Sequence, residues 1–508
     1  VSLVLAAALL AASASAPTEA ECREPLDLVY DGRLEEGVAA AAALAAAHPT
    51  DPLPAYVDAL AFAWKVEQRP EVTSLDKELE RRVQQAVNLA TARLRADPRD
   101  ARALLARGGA WGVASRYHMF RAHKSEAARD GARMRADLLD LRRLEPDNAE
   151  ALFGLGLYDY YADVLPRALK LLRVLARIPG GDRERGLSAI EEAKERAVLH
   201  RTEVQVQLYE IHAWYEKRPD RALAEARDLV RRHPGWPLWP LKLAEHLRER
   251  MGLYAESAEV ARRLMESEER RPAHRRGAAG ALARIALGEA LLLDLRLEDA
   301  RRVLLPVRDG GRGGPAAGQR ARLLLARALE LDGDRDGAQA HLQRAAAGPD
   351  RELRKQAQAA LARAVPAEEV RALHLIAEAR RAREAGRVPE ATEAYRQALK
   401  LWPRSQEAAL RVAEDDLLHG REERARAVVD DLAHGRHPEP PWVRPWSWLL
   451  AAEAHDLAGE RAEALAQYRR VLADPHGQDE LERRALDGLR RPFAPMPAAM
   501  PTPRAGRI

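Results

Sequence analysis

The residues able to do chemistry in this chain are plentiful but scattered. There are fifteen histidines and a single cysteine. His118 and His123 stand five residues apart, which places them more than 100° apart around a helix. His434 and His437 straddle Gly435 with no carboxylate at a ligand-like spacing. Neither pair offers the convergent geometry that a zinc or transition-metal site needs. Cys22 alone can form neither an intramolecular disulfide nor a cysteine-based zinc site, and it reads as an incidental thiol in a linker. No His-Glu-x-x-His, Gly-x-Ser-x-Gly or strand-borne Gly-x-Gly-x-x-Gly occurs. Carboxylate pairs such as Asp415-Asp416 and Asp430-Asp431 read as arginine partners on solvated helix faces. The glycine-rich run 309–318 lacks the Lys-Ser/Thr of a phosphate loop and reads as a turn. No catalytic residue, metal or cofactor is expected.

Composition points to the elements that must position any other site. The 508 residues are 31% charged and 5% aromatic. They are dominated by Ala, Leu, Arg and Glu, which cost little side-chain entropy in a helix. The alternating β-branched and aromatic runs of strands are missing, so an all-α protein is expected. With 82 basic and 78 acidic side chains the net charge is +4, a balanced surface rather than a nucleic-acid footprint.

A period of about 34 residues organises the helices. Gly386 and Gly420 stand 34 apart, as do Ala391 and Ala425, and Gly459, Ala464 and Tyr468 repeat the spacing of Gly386, Ala391 and Tyr395. Ala379, Ala413 and Ala452 are the matching small residues of the preceding helices, where close helix approach requires them. The glycines fall where a helix needs a left-handed C-cap, and Pro403 falls where a helix must stop. This pattern resembles the tetratricopeptide repeat. It extends upstream through Ala338, Ala300, Ser257, Ala222, Gly156 and Gly108 to a degenerate half-unit near Gly32. The resemblance implies a right-handed α–α superhelix of about ten helix–turn–helix units over residues 30–476, whose first helices line a binding groove.

The organisation expected is a secretory leader at 1–16, a linker at 17–30 and irregular N-terminal repeats at 31–200. Central repeats follow at 201–365, C-terminal repeats at 366–491 and a disordered Pro-rich tail at 492–508. The leader rests on the apolar run Leu3–Ala12 followed by small residues. It implies export to the periplasm or outer envelope of a Gram-negative bacterium. The Pro/Trp runs at 233–240 and 438–448 read as rigid linkers whose indoles cover seams between repeats.

One unit carries about eighteen extra residues, with an inserted helix at 164–178. Leu165, Ala168, Leu169, Leu171, Leu172 and Leu175 share one face, and Arg167, Lys170, Arg173 and Arg177 the other. Such a helix either packs on the array or meets an anionic membrane or partner. Residues 149–190, with Leu165-Pro166, Leu171-Leu172, Gly181-Asp182-Arg183 and Gly186-Leu187, locally resemble the eukaryotic tetratricopeptide-repeat 39 family. That likeness implies a shared structural variant and proximity to membranes.

Carried onto this chain, the groove positions of the tetratricopeptide repeat fall on Phe153, Tyr160, Tyr161, Trp214, Tyr215 and Trp446. Aromatic side chains there supply contact area at low entropic cost; the other role open to them is to fill the core around the inserted helix. Only two asparagines, Asn88 and Asn148, are present, and neither sits at a groove position, which disfavours a carboxylate clamp. The function expected is a non-catalytic scaffold that binds a protein or peptide, with no nucleic acid. The alternative is a peripheral membrane protein acting through 164–178.

Overall fold

The structure is a computed structural model that describes residues 16–68, 72–164, 179–216, 218–271, 278–435, 440–473 and 479–495. Most of the expected leader, residues 165–178 of the expected inserted helix with Arg167, Lys170, Arg173 and Arg177, and residues 496–508 lie outside the described residues. Among those described, every long element is a helix and there is no strand. None of these helices is long and apolar enough to cross a membrane.

The chain divides into two compact units. The first comprises residues 1–215 and 228–236, the second 216–227 and 237–508. In the first unit the helices are α1 (Glu19–Tyr30), α2 (Leu34–Ala47), α3 (Pro52–Glu67), α4 (Asp76–Ala96), α5 (Ala101–Phe120), α6 (Lys124–Leu144), α7 (Ala149–Val164), α8 (Arg183–Arg196) and α9 (Arg201–Glu210). Helix α10 (Pro219–Arg232) starts in the second unit and ends in the first. The second unit continues with α11 (Leu238–Met251), α12 (Tyr254–Arg270), α13 (Ala279–Leu293), α14 (Leu297–Leu304), α15 (Gly314–Leu331), α16 (Arg335–Ala346) and α17 (Arg351–Ala362). Helices α18 (Ala367–Glu384), α19 (Val388–Leu401), α20 (Gln406–Leu418), α21 (Glu422–His434), α22 (Val443–Leu457), α23 (Arg461–Ala473) and α24 (Asp479–Arg490) complete it.

Local chemistry explains the pairing. Asp100, Asp182, Asp334, Asp350 and Ser405 cap helix N-termini with side-chain oxygens that accept from backbone N–H groups. At the turn inside several of the pairs the chain passes through a left-handed residue, among them Gly333, Gly386, Gly420 and Gly459. The Gly386 turn closes with Arg387 N–H bonded to Ala382 O at 2.8 Å and Gly386 N–H to Arg383 O at 2.9 Å. Five residues after each turn residue comes the small side chain that lets the helices touch. Ala338, Ala391, Ala425 and Ala464 fill that place, all buried. Ala379, Ala413 and Ala452 are buried on the partner helices. Most helices pack on their sequence neighbours, and successive first helices also touch, as in α1–α3–α5–α7, α11–α13–α15 and α20–α22–α24. Repeating antiparallel pairs with first helix beside first helix make this an all-α helical-repeat fold of tetratricopeptide type.

Several expectations need correction. Residues 17–30 are not a linker: Thr18 and Glu21 form a reciprocal capping box, and α1 buries Cys22, Leu26, Val29 and Tyr30. The Pro/Trp run at 438–448 is not a linker throughout, because α22 begins at Val443 and buries Trp446 and Trp448. Asp415 and Asp416 are buried rather than solvated, though arginines Arg396 and Arg421 do pair with them. Residues 492–495 do not belong to the expected disordered tail, since Phe493 packs on the C-terminal core and donates its N–H to Asp456 Oδ2 at 2.8 Å.

Candidate functional site

Several polar and aromatic side chains of the first helices converge in the first unit. Tyr30 at the end of α1 donates from its hydroxyl to Glu203 Oε2 at 2.5 Å, and Trp64 of α3 donates from Nε1 to the same oxygen at 3.2 Å. Arg116 of α5 pairs with Glu203 Oε1 and, at 2.6 Å, with Glu67. Its guanidinium lies 4.3 Å from the Trp64 ring centroid. Trp236 packs edge-on against Trp64 and tilted against Tyr30, at 5.2 and 5.8 Å between centroids. Burial first, then the neighbouring Glu203 carboxylate, pushes the Tyr30 phenol well above its usual range, so it stays a donor. This face is therefore filled by the chain itself at the end nearest α1.

The other end differs. At the end of α9 the helix loosens into a π-helical turn, Ile211–Tyr215, a rare geometry that recurs at functional sites. It carries Trp214 and Tyr215, each 49% exposed. Tyr215 meets Tyr161 edge-to-face at 5.4 Å and Tyr160 at 6.1 Å. Tyr161 is half-buried and donates to Gln207 Oε1 at 3.2 Å. Of the six expected groove residues, Tyr160, Tyr161 and Tyr215 come together, with Trp214 next to Tyr215 in the chain. Phe153 packs instead on the ring of His200, 5.6 Å away. Phe153, Tyr160 and Trp446, at 4%, 0% and 3% exposure, are core residues and present no groove surface.

In the second unit the first helices are cross-linked by arginine. Arg380 of α18 is bidentate to Glu407 of α20 at 2.5 and 2.6 Å. Glu414 accepts from Arg383 and Arg411 at 2.9 and 3.0 Å and from Arg484 at 2.7 Å. Arg484 also forks onto Glu453 at 2.8 and 2.9 Å. Arg411 lies 4.5 Å from the Trp446 ring and 5.1 Å from Trp442, which is why Trp446 lies beneath guanidinium rather than open to a ligand. These pairs were missed in the sequence. Their available signal was Arg and Glu about one repeat apart, 27 residues for Arg380–Glu407 and 31 for both Arg383–Glu414 and Arg484–Glu453. Among the described residues no three His, Cys, Asp or Glu side chains converge on a metal-sized site.

The geometry defines a helical-repeat protein whose first helices are joined by buried polar contacts and which displays one exposed aromatic pair. No family model matches the chain, and no curated protein matches it significantly. Among solved structures it is similar to the tetratricopeptide domain of P58(IPK), at 11% identity over 92% of this chain and 98% of that one, with a TM-score of 0.20. It is also similar to the Naa15/Naa10 complex bound to HypK-THB, at 16% identity over 93% and 72%, TM-score 0.23. A third is the Cut9-Hcn1 hetero-tetramer, at 13% identity over 92% and 89%, TM-score 0.24. TM-scores this low superpose no site, and the fold stands on the pairing and turns of this chain itself.

Proposed function

We propose that the chain is a non-catalytic helical-repeat scaffold that binds a protein or peptide segment at Tyr161, Trp214 and Tyr215. The observation that carries this reading is the consecutive, half-exposed Trp214 and Tyr215 on a π-helical turn, backed by the buried Tyr160. Large aromatics held by a rigid scaffold lose little freedom on binding, and partners commonly anchor on such residues. The setting we propose is the bacterial cell envelope, reached by export; support for it comes from the apolar run Leu3–Ala12 and the small residues after it.

A photo-crosslinking residue at position 214, with products identified by mass spectrometry in the native host, tests the contact. A partner captured there, and weakened about thirtyfold or more by Trp214→Ala with Tyr215→Ala, is the expected result. Undiminished affinity in that double variant removes Trp214 and Tyr215 from the interface. Co-sedimentation with anionic vesicles but no protein partner favours the membrane reading instead.

A further inference from the structure

Tyr56, His200 and Glu150 form a buried chain of hydrogen bonds across three helices of the first unit. The Tyr56 hydroxyl bonds to His200 Nε2, and His200 Nδ1 bonds to Glu150 Oε2 at 2.6 Å. Glu150 also takes the backbone N–H groups of Val198 and Leu199 on Oε1, at 2.7 and 2.8 Å, and that of His200 on Oε2 at 3.2 Å. The carboxylate of α7 thus ties down the segment that starts α9. Tyr56 is seated by Gly109 of α5, where a Cβ would lie 2.5 Å from the ring. All three side chains are buried, and nothing in the scaffold reading uses them.

We propose that His200 is a proton-operated latch: the doubly protonated ring ties α7 and α3 to the start of α9, and loss of one proton loosens that tie. In the cation both ring nitrogens donate, Nδ1 to Glu150 and Nε2 to Tyr56 Oη, and the buried Glu150 charge has its counter-charge. When the Nε2 proton leaves, Nε2 becomes an acceptor, the Tyr56 hydroxyl turns to donate, and Glu150 keeps only hydrogen bonds.

The charged and titratable groups facing His200 are Glu150 of α7, Glu203 of its own helix, Tyr56 of α3 and Glu19 of α1. Arg116 of α5 binds Glu203 and Glu67, while Arg102 and Glu145 face Glu19. Burial on its own lowers the pKa of the ring, but Glu150, then Glu203 and Glu19, outweigh it and leave it raised. A raised folded-state pKa means that the stabilisation is complete below the ordinary histidine value near 6.5. It is lost as pH climbs through the folded value. Two of the helices so tied, α3 and α9, also meet through Trp64 and Glu203.

Hydrogen exchange of the full chain, corrected for intrinsic rates, reads the opening through peptides covering 52–67 and 198–210. Between pH 6 and 8.5 the opening constant of the wild type rises, by no more than about tenfold per pH unit for one proton. In His200→Gln it stays flat, and Tyr56→Phe shifts the rise to lower pH by removing the acceptor of the Nε2 proton. Equal rises in wild type and His200→Gln, or no rise in the wild type, overturn the proposal. Should His200→Gln not fold, titration of the His200 Cε1 proton by NMR decides: a midpoint above 6.5 supports the latch and one at or below it overturns it.

Discussion

The indole of Trp442 donates from Nε1 to the Tyr254 hydroxyl at 3.4 Å, across 188 residues of chain, and its ring lies over Gly252. Gly252 ends α11 at φ +67°, so two independent constraints fall on one position. Arg380 adds to the same contact, its guanidinium 4.7 Å from the Tyr254 ring. The second unit thus folds back on itself through side chains that the repeat period does not bring together.

Gly252→Ala meets both constraints. The left-handed backbone costs an L-residue roughly 1–2 kcal/mol, and a methyl there lies 2.5 Å from Trp442 Nε1, an overpacking penalty of a further 1–3 kcal/mol. Gly459→Ala supplies the control, since its φ is +78° with nothing within 4 Å of the added carbon. Urea unfolding is expected to show Gly252→Ala as the more damaging by about the overpacking term alone. Equal losses mean that the ring yields without cost.

The same logic runs in reverse at Ala122. It occupies the turn position between α5 and α6 at φ +62°, where other units use glycine, and it is exposed. Five residues on, the buried Ala127 holds the small-residue place. Ala122→Gly relieves the strain at no packing cost and is expected to raise stability by up to about 1 kcal/mol, seen as a higher melting temperature. Leu295, at φ +52° in the equivalent turn, also packs on the core, so Leu295→Gly gains less.

These turns show how the chain reveals its repeats and conceals its closures. Gly386 with Ala391 and Gly420 with Ala425 report a local event, one turn and one helix crossing, and so recur visibly along a single chain. Gly252 with Trp442, or Tyr30 with Glu203, reports a meeting of distant segments, for which a single sequence holds no period. Helix α1 was readable through its Thr18-x-x-Glu21 capping box, but two of the partners it meets, Val198 and Glu203, lie 175 and 173 residues further along the chain. The aromatic positions fared unevenly for the same reason. Spacing brought Trp214 and Tyr215 to a first-helix end, whereas the guanidinium of Arg411 over Trp446 depends on three-dimensional neighbours.

Acid and base act oppositely on the arginine cross-links of the second unit. Burial pushes the Glu453 carboxyl up to about 7, only partly offset by Arg484, and Glu414 and Asp456 add to the rise. Burial also raises Glu414, but Arg411, Arg383 and Arg484 outweigh it and hold it well below the usual carboxylate range. Glu453 therefore contributes stability that is complete below about pH 4.5 and lost as pH rises to about 7, at most about 3 kcal/mol. The Glu414 contribution is present above its ordinary pKa and lost as pH falls. Glu453→Gln is expected to flatten the decline between pH 4.5 and 7. Glu414→Gln is expected to cost about 3–5 kcal/mol at pH 7, because Arg383 and Arg411 lose their counter-charge and Arg484 keeps only Glu453. Denaturation midpoints across that range separate the two.

Cys22 makes the docking of α1 measurable. It is the only cysteine in the chain, fully buried, and burial above all raises its thiol pKa to about 11. Next to it, Arg102 holds Asp51 through a two-pronged contact at 2.8 and 2.9 Å and donates to the Pro17 carbonyl at 2.7 Å, fastening the start of α1. A thiol both protonated and enclosed reacts only when its helix lifts away. Modification by a disulfide reagent at pH 8 is expected to run at least about a hundredfold slower in the native chain than in denaturant. Arg102→Met, which keeps the apolar bulk but releases Asp51 and Pro17, is expected to accelerate labelling while leaving overall helicity unchanged. Native labelling as fast as that of the unfolded chain means that α1 does not stay docked.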